Sequence, residues 1–533
     1  MEKTIEKPSL AHDEYADDVA PADMTVEVKY DNGQLRDLLH SPYVFGAALL
    51  ASFGGFSFGY DQGVISLILV MPQFREQFPE TSPENPKYGF HTGFMTGMLE
   101  LGAFIGLATV FFVIGAIIQT ASMNYGTLVA GRFIGGIGVG TLAMGAPLYI
   151  SEIAPPAWRG SLLVLESISI VIGAIVAYWI TYGTRAIPGE WSFRLPFLLQ
   201  MFPALIVGCA IHFFPFSPRW LAMRGREEDS LSALAKLRRR PVHDEQVQLE
   251  WKGILSEVRF QRQMLEKEYP DYQSRPLLVG LKQWVSLVRP KYFRRTLVAL
   301  AIPFFQQFSG INAFVYYAPT FFEALGQSSE TSLILSGMVN ICQLVGGIPI
   351  LMYLDRVGRR TMAIIGGVIM AIPHLIMAGL MNRYSNDWPS HKAIGWFCVA
   401  LIYAYALAYA VSYGPLAWVL PAEVFPNSKR AKGVGAATAM NWLANFIIGV
   451  VVPEMLIKLG WGTFLFFGLF CVAAAIFSFL FVPETSGKSL EQIAVVFGDN
   501  LDGDERELQE KIARETFENA TASVLHVEKA GSA

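Results

Sequence analysis

Long apolar runs repeat along most of this chain and limit what it can fold into. A helix of about 20 apolar residues is long enough to cross the ~30 Å hydrocarbon layer of a membrane. Only 16% of the 533 residues are charged, whereas soluble domains carry about 25%. The sequence therefore predicts an all-α polytopic membrane protein. The apolar runs fall into two groups, 43–70, 91–123, 126–150, 161–184 and 195–215, then 296–325, 331–354, 361–381, 394–420, 432–457 and 461–482.

Other residue classes give no indication of an enzyme. The four cysteines lie within apolar runs, and the eight histidines are scattered without metal-ligand spacing. No nucleophile has a neighbouring base, so we expect no catalytic activity, no metal and no cofactor. The net charge of −4 is small and gives no indication of a nucleic-acid partner.

The polar segments predict the orientation in the membrane. Residues 1–42 lack the apolar core of a cleavable signal peptide. The segment from Arg219 to Arg295 contains 17 Lys and Arg residues and has apolar positions at helical spacing. Because basic loops stay on the cytoplasmic side, we expect this segment and both termini in the cytoplasm. The predicted organisation is an N-terminal tail (1–42), a transmembrane bundle (43–215), a cytoplasmic helical loop (216–295), a second transmembrane bundle (296–482) and a C-terminal tail (483–533).

The two groups of apolar runs carry repeated motifs. Glu152 and Arg159 in "SEIAPPAWRG" are seven residues apart, and Glu423 and Arg430 in "AEVFPNSKRA" have the same spacing. The motifs "PFSPRWL" (215–221) and "PETSGKSL" (483–490) each close the last apolar run of a group. Such repeats indicate two pseudo-symmetric six-helix bundles, an arrangement in which many transporters bind a substrate between the halves.

Together these motifs resemble the sugar porter family of the major facilitator superfamily, and fungal monosaccharide–proton symporters in particular. The resemblance covers residues 43–490 and rests also on "GYDQGVIS" (59–66), "GRFIGGIGVG" (131–140), "QQFSGINAFVYY" (306–317), "LDRVGRR" (354–360) and "GPLAWVLPAEVFP" (414–426). It implies a major facilitator fold, sugar transport, and a multi-pass protein of the plasma membrane that works as a monomer.

The N-terminal half lacks a segment that the repeat requires. "LDRVGRR" follows the second apolar run of the C-terminal half, whereas no Lys or Arg occurs from Tyr88 to Gly131. The apolar run His91–Ser122 has 32 residues, which is about 48 Å as one helix. It is too long for one upright span and too short for two, so the loop between the second and third helices and parts of both helices are missing. A splice variant, a gene-model error or a genuinely altered protein would each explain this, and the transcript across codons 105–112 would decide.

Amides in the seventh span indicate a ligand. "FFQQFSGINAFVYY" (304–317) places Gln306, Gln307 and Asn312 where hydrocarbon is expected. Side-chain amides both donate and accept hydrogen bonds and so suit a neutral ligand covered with hydroxyl groups. The alternative is that they join neighbouring helices. The family resemblance implies a sugar pocket lined by Gln306, Gln307, Asn312, Tyr316, Asn340, Trp418, Asn441, Trp442 and Asn445, with both tryptophans against the sugar ring.

The fifth span departs from the family pattern. Ser167 occupies the position, eight residues after Arg159, at which the family carries a sugar-binding glutamine, and Glu166 precedes it. A shorter donor beside a carboxylate changes the shape and charge of the pocket. Ser167 is therefore a candidate sugar ligand, and the choice between hexoses and pentoses stays open. Glu166 could face the sugar or another helix.

A carboxylate inside a membrane span indicates a function. Asp61 lies within the first apolar run, and the family pairs this position with that of Arg132, near the start of the run 126–150. The resemblance implies proton coupling, because proton-driven members carry Asp here. The arginine holds Asp61 ionised, and protonation frees the pair. The alternative is a static ion pair.

Charged residues at the ends of apolar runs are candidate gates rather than ligands. Opposite charges on cytoplasmic helix ends can hold one conformation of a transporter and separate in the other. Single exposed pairs contribute only ~0–1 kcal/mol, so a network is needed. The candidates are Glu152, Arg159, Asp355, Arg356, Arg359, Arg360, Glu423 and Arg430.

The motif "GGIGVG" (135–140) resembles a phosphate-binding loop. No strand precedes it, so a phosphate site lacks its structural context. Close packing of helices through small residues explains the motif better.

The sequence as a whole predicts proton-coupled import of a neutral monosaccharide by alternating access. The partners are then a sugar, a proton and the lipid bilayer. Three alternatives stay open: a passive sugar uniporter, a sensor that binds sugar without transport, and an inactive variant that has lost the segment near residue 110.

Overall fold

The computed structural model describes residues 42–105, 109–154, 159–270, 275–353, 357–486, 497, 507–509 and 511–516. Within these residues every regular element is helical. Eight helical segments of this part are long and apolar enough to cross a membrane, judged by length and composition, and Val110–Ala121 is a shorter apolar helix. The predicted all-α polytopic fold is confirmed.

The N-terminal half contains six membrane helices in chain order, of which the second and third are short. The sixth span is divided into two helices, and a short helix joins the first span to the second. The helices are α1 (Pro42–Ile68), α2 (Pro72–Gln77), α3 (Tyr88–Ile105), α4 (Thr109–Ala121), α5 (Tyr125–Ile153), α6 (Arg159–Thr184), α7 (Trp191–Leu199) and α8 (Met201–Ala210).

Four helices then form the polar loop. They are α9 (Pro218–Met223), α10 (Glu227–Arg238), α11 (Glu245–Glu268) and α12 (Pro276–Ser286). Asp244 caps α11, since its side chain accepts hydrogen bonds from the backbone N–H groups of Gln246 (3.0 Å) and Val247 (3.3 Å). The apolar residues at helical spacing in this part of the sequence therefore lie on helices. We call the side of the molecule that carries α9–α12 the loop side and the opposite side the far side.

The C-terminal half also contains six spans, of which the first and fourth are divided. Its helices are α13 (Pro290–Phe308), α14 (Ile311–Ala324), α15 (Ser329–Tyr353), α16 (Arg359–Tyr384), α17 (Lys392–Ala410), α18 (Tyr413–Val424), α19 (Asn427–Leu459) and α20 (Trp461–Phe481).

The short helix α3 packs along α5 and runs in the same direction. Leu99 lies at the level of Gly136, and Ala103 lies one turn further at the level of Gly140. The contact is so close that a Cβ atom on Gly136 would lie 1.9 Å from the carbonyl oxygen of Leu99. The end of α3 therefore lies about 11 residues, or roughly 16 Å, short of the loop-side end of α5.

The helix α4 packs along α5 in the opposite direction. Phe112 lies at the level of Gly138, and Gln119 lies further toward the far side at the level of Gly131. A Cβ atom on Gly138 would lie 2.2 Å from the backbone nitrogen of Phe112. The 32-residue run thus forms two truncated antiparallel helices, and "GGIGVG" serves the close packing of both against α5.

The extensive contacts between the two halves lie toward the far side. The hydroxyl group of Tyr178 on α6 donates to the carbonyl oxygen of Leu333 on α15 (2.7 Å). Nearer the far-side surface, Arg185 forms an ion pair with Glu330 (2.6 Å). On α3, a Cβ atom at Gly93 would lie 2.2 Å from a backbone oxygen of α19. The two halves are therefore closed against each other on the far side.

Candidate sugar cavity and buried ion pair

A cavity lies between the two halves, on the loop side of their mutual contacts. Helices α1 and α6 form one wall, and α13–α15 together with α17–α19 form the others. None of the lining residues that the structure describes carries a formal charge. The polar and aromatic residues of the lining are Phe58, Gln62, Ser167, Gln306, Gln307, Asn312, Asn340, Gln343, Tyr409, Trp418 and Asn441.

A break between α13 and α14 presents the amides to this cavity. The helix α13 ends at Phe308. Two residues later, Gly310 adopts φ = 97°, a left-handed conformation that favours glycine. The backbone oxygen of Ser309, which the break removes from the helical pattern, lies 3.0 Å from His374 Nε2 and accepts from the hydroxyl of Tyr405 (2.9 Å). His374 thus stabilises the break and does not act as a ligand of the cavity.

The amides form a continuous chain of hydrogen bonds. Asn312 donates to Gln307 Oε1 (2.7 Å), and Gln307 donates to Asn441 Oδ1 (3.0 Å). Asn441 in turn donates to Gln306 Oε1 (2.6 Å), and Gln306 donates to the backbone oxygens of residues 413 and 414 (both 3.1 Å). The chain joins α13, α14 and α19, so the amides do connect helices while they also line the cavity.

Seven of the ten residues predicted to bind sugar line this cavity: Ser167, Gln306, Gln307, Asn312, Asn340, Trp418 and Asn441. The other three lie beside it. Trp442 is fully buried and packs edge-on against Phe58 at a centroid distance of 4.8 Å. Tyr316 and Asn445 hydrogen-bond to each other (3.0 Å) behind the wall that α1 forms. Glu166 is not part of the lining and lies buried against Gly55 of α1.

The predicted ion pair between Asp61 and Arg132 is present. Arg132 Nη2 lies 3.2 Å from Asp61 Oδ2, and both side chains are 1% exposed. Arg132 also donates from Nε to the backbone oxygen of Met95 (2.9 Å) on α3. The short helix α3 therefore still holds the arginine in place. Because Asp61 and the cavity-lining Gln62 are consecutive on α1, the ion pair lies directly behind the cavity wall.

A second buried carboxyl group lies next to this pair and was missed in the sequence. Glu100 on α3 is 1% exposed and accepts a hydrogen bond from the hydroxyl of Tyr316. Gln62 also donates to that hydroxyl (3.1 Å), so the cluster connects to the cavity. The sequence did contain a signal, because Glu100 is the only Asp, Glu, Lys or Arg between Tyr88 and Gly131.

Candidate gating residues in the C-terminal half form a network on the loop side. Glu423 pairs with Arg359 (3.0 Å) and accepts from Thr485 Oγ1 (2.5 Å). Glu484 accepts from the backbone N–H groups of Arg359 (2.7 Å) and Arg360 (3.2 Å). Arg430 lies in the first turns of α19. Asp355 and Arg356 lie outside the described residues.

The corresponding end of the N-terminal half is arranged differently. Glu152 lies in the last turn of α5 and has no ion-pair partner among the residues described. Arg159 begins α6, but its side chain lies outside the described part. Instead Arg238 of α10 donates to the carbonyl oxygen of Ile153 (2.9 Å) and pairs with Glu250 of α11 (2.5 Å). The loop helices thus cover the end of α5.

No metal centre is found in the part of the chain that the structure covers, since no three His, Cys, Asp or Glu side chains come together there. The four cysteines are free thiols, of which Cys398 and Cys471 are buried.

Comparisons with known proteins agree with this architecture. The family model described as "Sugar (and other) transporter" matches residues 47–110 and 105–497, so the match divides where α3 gives way to α4. A high-affinity glucose transporter of Kluyveromyces lactis is 30% identical over 505 residues, which are 89% of each chain. An H(+)/hexose cotransporter of Parachlorella kessleri is 30% identical over 490 residues, covering 85% of this chain and 86% of the relative.

Solved structures give the same result. The proton:xylose symporter XylE of E. coli, bound to 6-bromo-6-deoxy-D-glucose, superposes with a TM-score of 0.68 at 28% sequence identity. The similarity covers 86% of this chain and 99% of the symporter. The family match, the full-length relatives and the two six-span halves lead to one conclusion: this chain belongs to the sugar transporter family of the major facilitator superfamily, and it is a transporter and not an enzyme.

Proposed function

We propose that this protein imports a neutral monosaccharide together with a proton across the plasma membrane, with the loop side and both termini in the cytoplasm. The observation that carries the proposal is an uncharged, amide-lined cavity with the buried Asp61–Arg132 pair directly behind its wall. Relatives named as a glucose transporter, a hexose–proton cotransporter and a xylose–proton symporter support the same substrate class.

The cavity chemistry favours a neutral polyol. In the amide chain each carbonyl oxygen and each N–H group can exchange its present partner for a sugar hydroxyl group. Trp418 supplies a flat apolar surface for the C–H face of a pyranose ring. Because Ser167 replaces the longer glutamine of the family, the N-terminal wall reaches less far into the cavity, and the proposal extends to hexoses and pentoses alike.

The ion pair supplies the proton site. Asp61 and Arg132 are both fully buried, and neutralising Asp61 by protonation removes the attraction that holds α1 to α5 at this point. A substrate and a proton that enter from the far side would then allow the halves to rock, close the far side and open the loop side. In such a cycle, the contacts of Tyr178 and Arg185 with the C-terminal half would form when the far side is closed and break when it opens.

Transport in proteoliposomes tests the proposal. With radiolabelled D-glucose or D-xylose as probe, an inward proton gradient should drive accumulation, and adding sugar should make the external medium more alkaline. Asp61→Asn should abolish accumulation while Glu323→Gln, an exposed carboxyl variant on the far side, should accumulate sugar like the parent chain. Uptake that only equilibrates, without alkalinisation, would identify a uniporter instead.

The truncated α3 and α4 favour one rival, which is binding without transport. Two helices that end about 16 Å short of the loop side leave the N-terminal half incomplete on the side where its gate is expected. A sugar sensor or an inactive variant would bind the labelled sugar in detergent but show no counterflow in vesicles. Counterflow by the parent chain would contradict this rival.

A further inference from the structure

The cluster around Glu100 contains more negative groups than positive ones. Asp61 and Glu100 are both buried, and among the residues described here the only cation in contact with the cluster is Arg132. If both carboxyl groups were ionised, a net negative charge would be buried in the membrane. Such a charge costs several kcal/mol, so the cluster is balanced when it holds one proton.

The geometry distinguishes the two carboxyl groups. Asp61 is in direct contact with the guanidinium group, which favours its ionised form. Glu100 has no cation of its own. Its Oε1 accepts from Tyr316, and its Oε2 is buried without a partner in the described structure. A carboxyl group buried in this way favours its neutral form, and the proton then has a place on Oε2.

We propose that Glu100 is a second proton-binding residue, which holds the proton in this far-side-closed conformation while Asp61 stays paired with Arg132. The coupling part of this inference rests on the proposed proton symport. The two carboxyl groups then titrate as one unit with a shared arginine, and protonation of either affects the other.

Tyr316 connects the proton on Glu100 to the sugar cavity and to the far-side closure. Its hydroxyl group has one hydrogen, which it donates to Glu100, and two lone pairs, which accept from Gln62 and Asn445. Glu100 belongs to the N-terminal half, and Tyr316 to the C-terminal half. Ionisation of Glu100 would place a charge at this junction, so proton release and separation of the halves are coupled through the same contact.

Other titratable groups on the surrounding helices are either part of the cluster or distant from it. The groups on the middle and far-side parts of these helices are Tyr60 and Asp61 on α1, Tyr125 and Arg132 on α5, Tyr316 and Tyr317 on α14, and the Glu454–Lys458 pair on α19. The remaining charged groups lie at helix ends, Glu152 at the loop-side end of α5, Glu323 at the far-side end of α14, and Lys429, Arg430 and Lys432 in the first turns of α19. Glu454 lies beside Gly89, at the far-side end of α3 and about three turns from Glu100. The cluster therefore has no second cation to balance Glu100 among the residues described.

Infrared difference spectroscopy of the purified full chain tests where the proton resides. A protonated carboxylic acid has a C=O stretching band that an ionised carboxylate lacks. We expect such a band near neutral pH in the parent chain and its loss in Glu100→Gln. Tyr316→Phe should shift the frequency of this band, because it removes the hydrogen bond to Glu100. The shift provides the same assignment if Glu100→Gln does not fold.

The control is Glu166→Gln, a second buried glutamate that lies against α1 outside the cluster. Glu166→Gln should not change the C=O stretching band whose frequency shifts in Tyr316→Phe. A spectrum of Glu100→Gln that matches the parent spectrum would overturn the proposal, as would a band lost only in Asp61→Asn.

Proton counting in proteoliposomes tests the coupling role. With D-glucose or D-xylose as probe, the number of protons taken up per sugar should fall at least tenfold in Glu100→Gln relative to the parent chain. An unchanged ratio would overturn the coupling role of Glu100. If the parent chain itself takes up no protons with sugar, the proposed symport fails, and the infrared assignment of the proton to Glu100 is judged on its own.

Discussion

Gln307 connects neighbouring helices and also lines the candidate sugar cavity. It accepts from Asn312 and donates to Asn441, so its amide is the central member of the chain that lines the cavity. Removing that amide leaves one buried donor and one buried acceptor without partners, which costs about 1–3 kcal/mol for each group. A sugar hydroxyl bound at the same place loses its partner too.

We therefore expect Gln307→Leu to weaken sugar binding at least tenfold, measured with labelled D-glucose or D-xylose on folded, detergent-purified protein. A tenfold change corresponds to about 1.4 kcal/mol. The matched control is Gln200→Leu, at the junction of α7 and α8 and away from the cavity. Equal affinity of Gln307→Leu and the parent chain would show that the amide does not contact the sugar.

Gln200 leads to a prediction of its own. Both polar atoms of its amide are buried and have no partner in the described structure. Because a buried amide without hydrogen bonds is unfavourable by about 1–3 kcal/mol, Gln200→Leu should raise the thermal unfolding midpoint. A lower midpoint would indicate that an internal water satisfies this amide.

At the scale of elements, the packing of α3 and α4 on α5 compensates for their short length. Gly136 and Gly138 allow the backbones to approach so closely that no Cβ atom fits at either position. Without a basic turn to anchor them on the loop side, α3 and α4 depend on close contacts such as these, and α3 also on the Arg132 bond to Met95. The absence of side chains at these glycines is therefore a structural requirement.

Gly136→Ala should consequently destabilise the protein by about 3 kcal/mol or more, because the clashing atom is a backbone oxygen that cannot move aside. Gly145→Ala, on the same helix but with open space around its Cβ position, is the control. There alanine should raise stability slightly, by about 0.5–1 kcal/mol, through its better helix propensity. Thermal unfolding compares the two variants, and equal midpoints would contradict the packing argument.

At the scale of the whole molecule, the two halves meet in different ways on the two sides. On the far side the membrane helices contact each other directly, as at Tyr178 and at the Arg185–Glu330 pair. On the loop side, α11 connects to both halves. Its Glu250 pairs with Arg238 of α10, which in turn donates to the carbonyl oxygen of Ile153 at the end of α5. Its Glu268 pairs with Lys429 (2.5 Å) at the start of α19. In the proposed alternating-access cycle, the far-side contacts must separate.

Glu330→Gln should therefore shift the conformational equilibrium toward an open far side. The pair is partly exposed, with side-chain exposures of 57% for Glu330 and 30% for Arg185, so solvent weakens it and the expected increase in labelling rate is only a few-fold. The measurement is the rate at which an impermeant maleimide labels Ser167→Cys from the far side, with the parent chain as background. A rate that does not change would show that this pair plays no part in closure.

Local sequence properties determined much of this protein. Runs of apolar residues, their doubling, the motifs at their ends and the absence of basic residues before Arg132 predicted two six-helix halves and a defect near residue 110. The family resemblance implied seven of the residues that line the cavity. These features can be predicted from sequence because a membrane span needs a certain length of apolar residues, and a helix break needs a residue such as Gly310.

Only the tertiary structure decided which polar residues meet. It placed Tyr316 and Asn445 behind the cavity wall, brought Glu100 to them, and folded one 32-residue run into two antiparallel helices. Which side of a helix points toward the cavity depends on the crossing angles and close contacts that it makes with several helices far away in the chain. No local pattern specifies those contacts, so the cluster of Glu100, Tyr316 and Asn445 exists only once the two halves have packed.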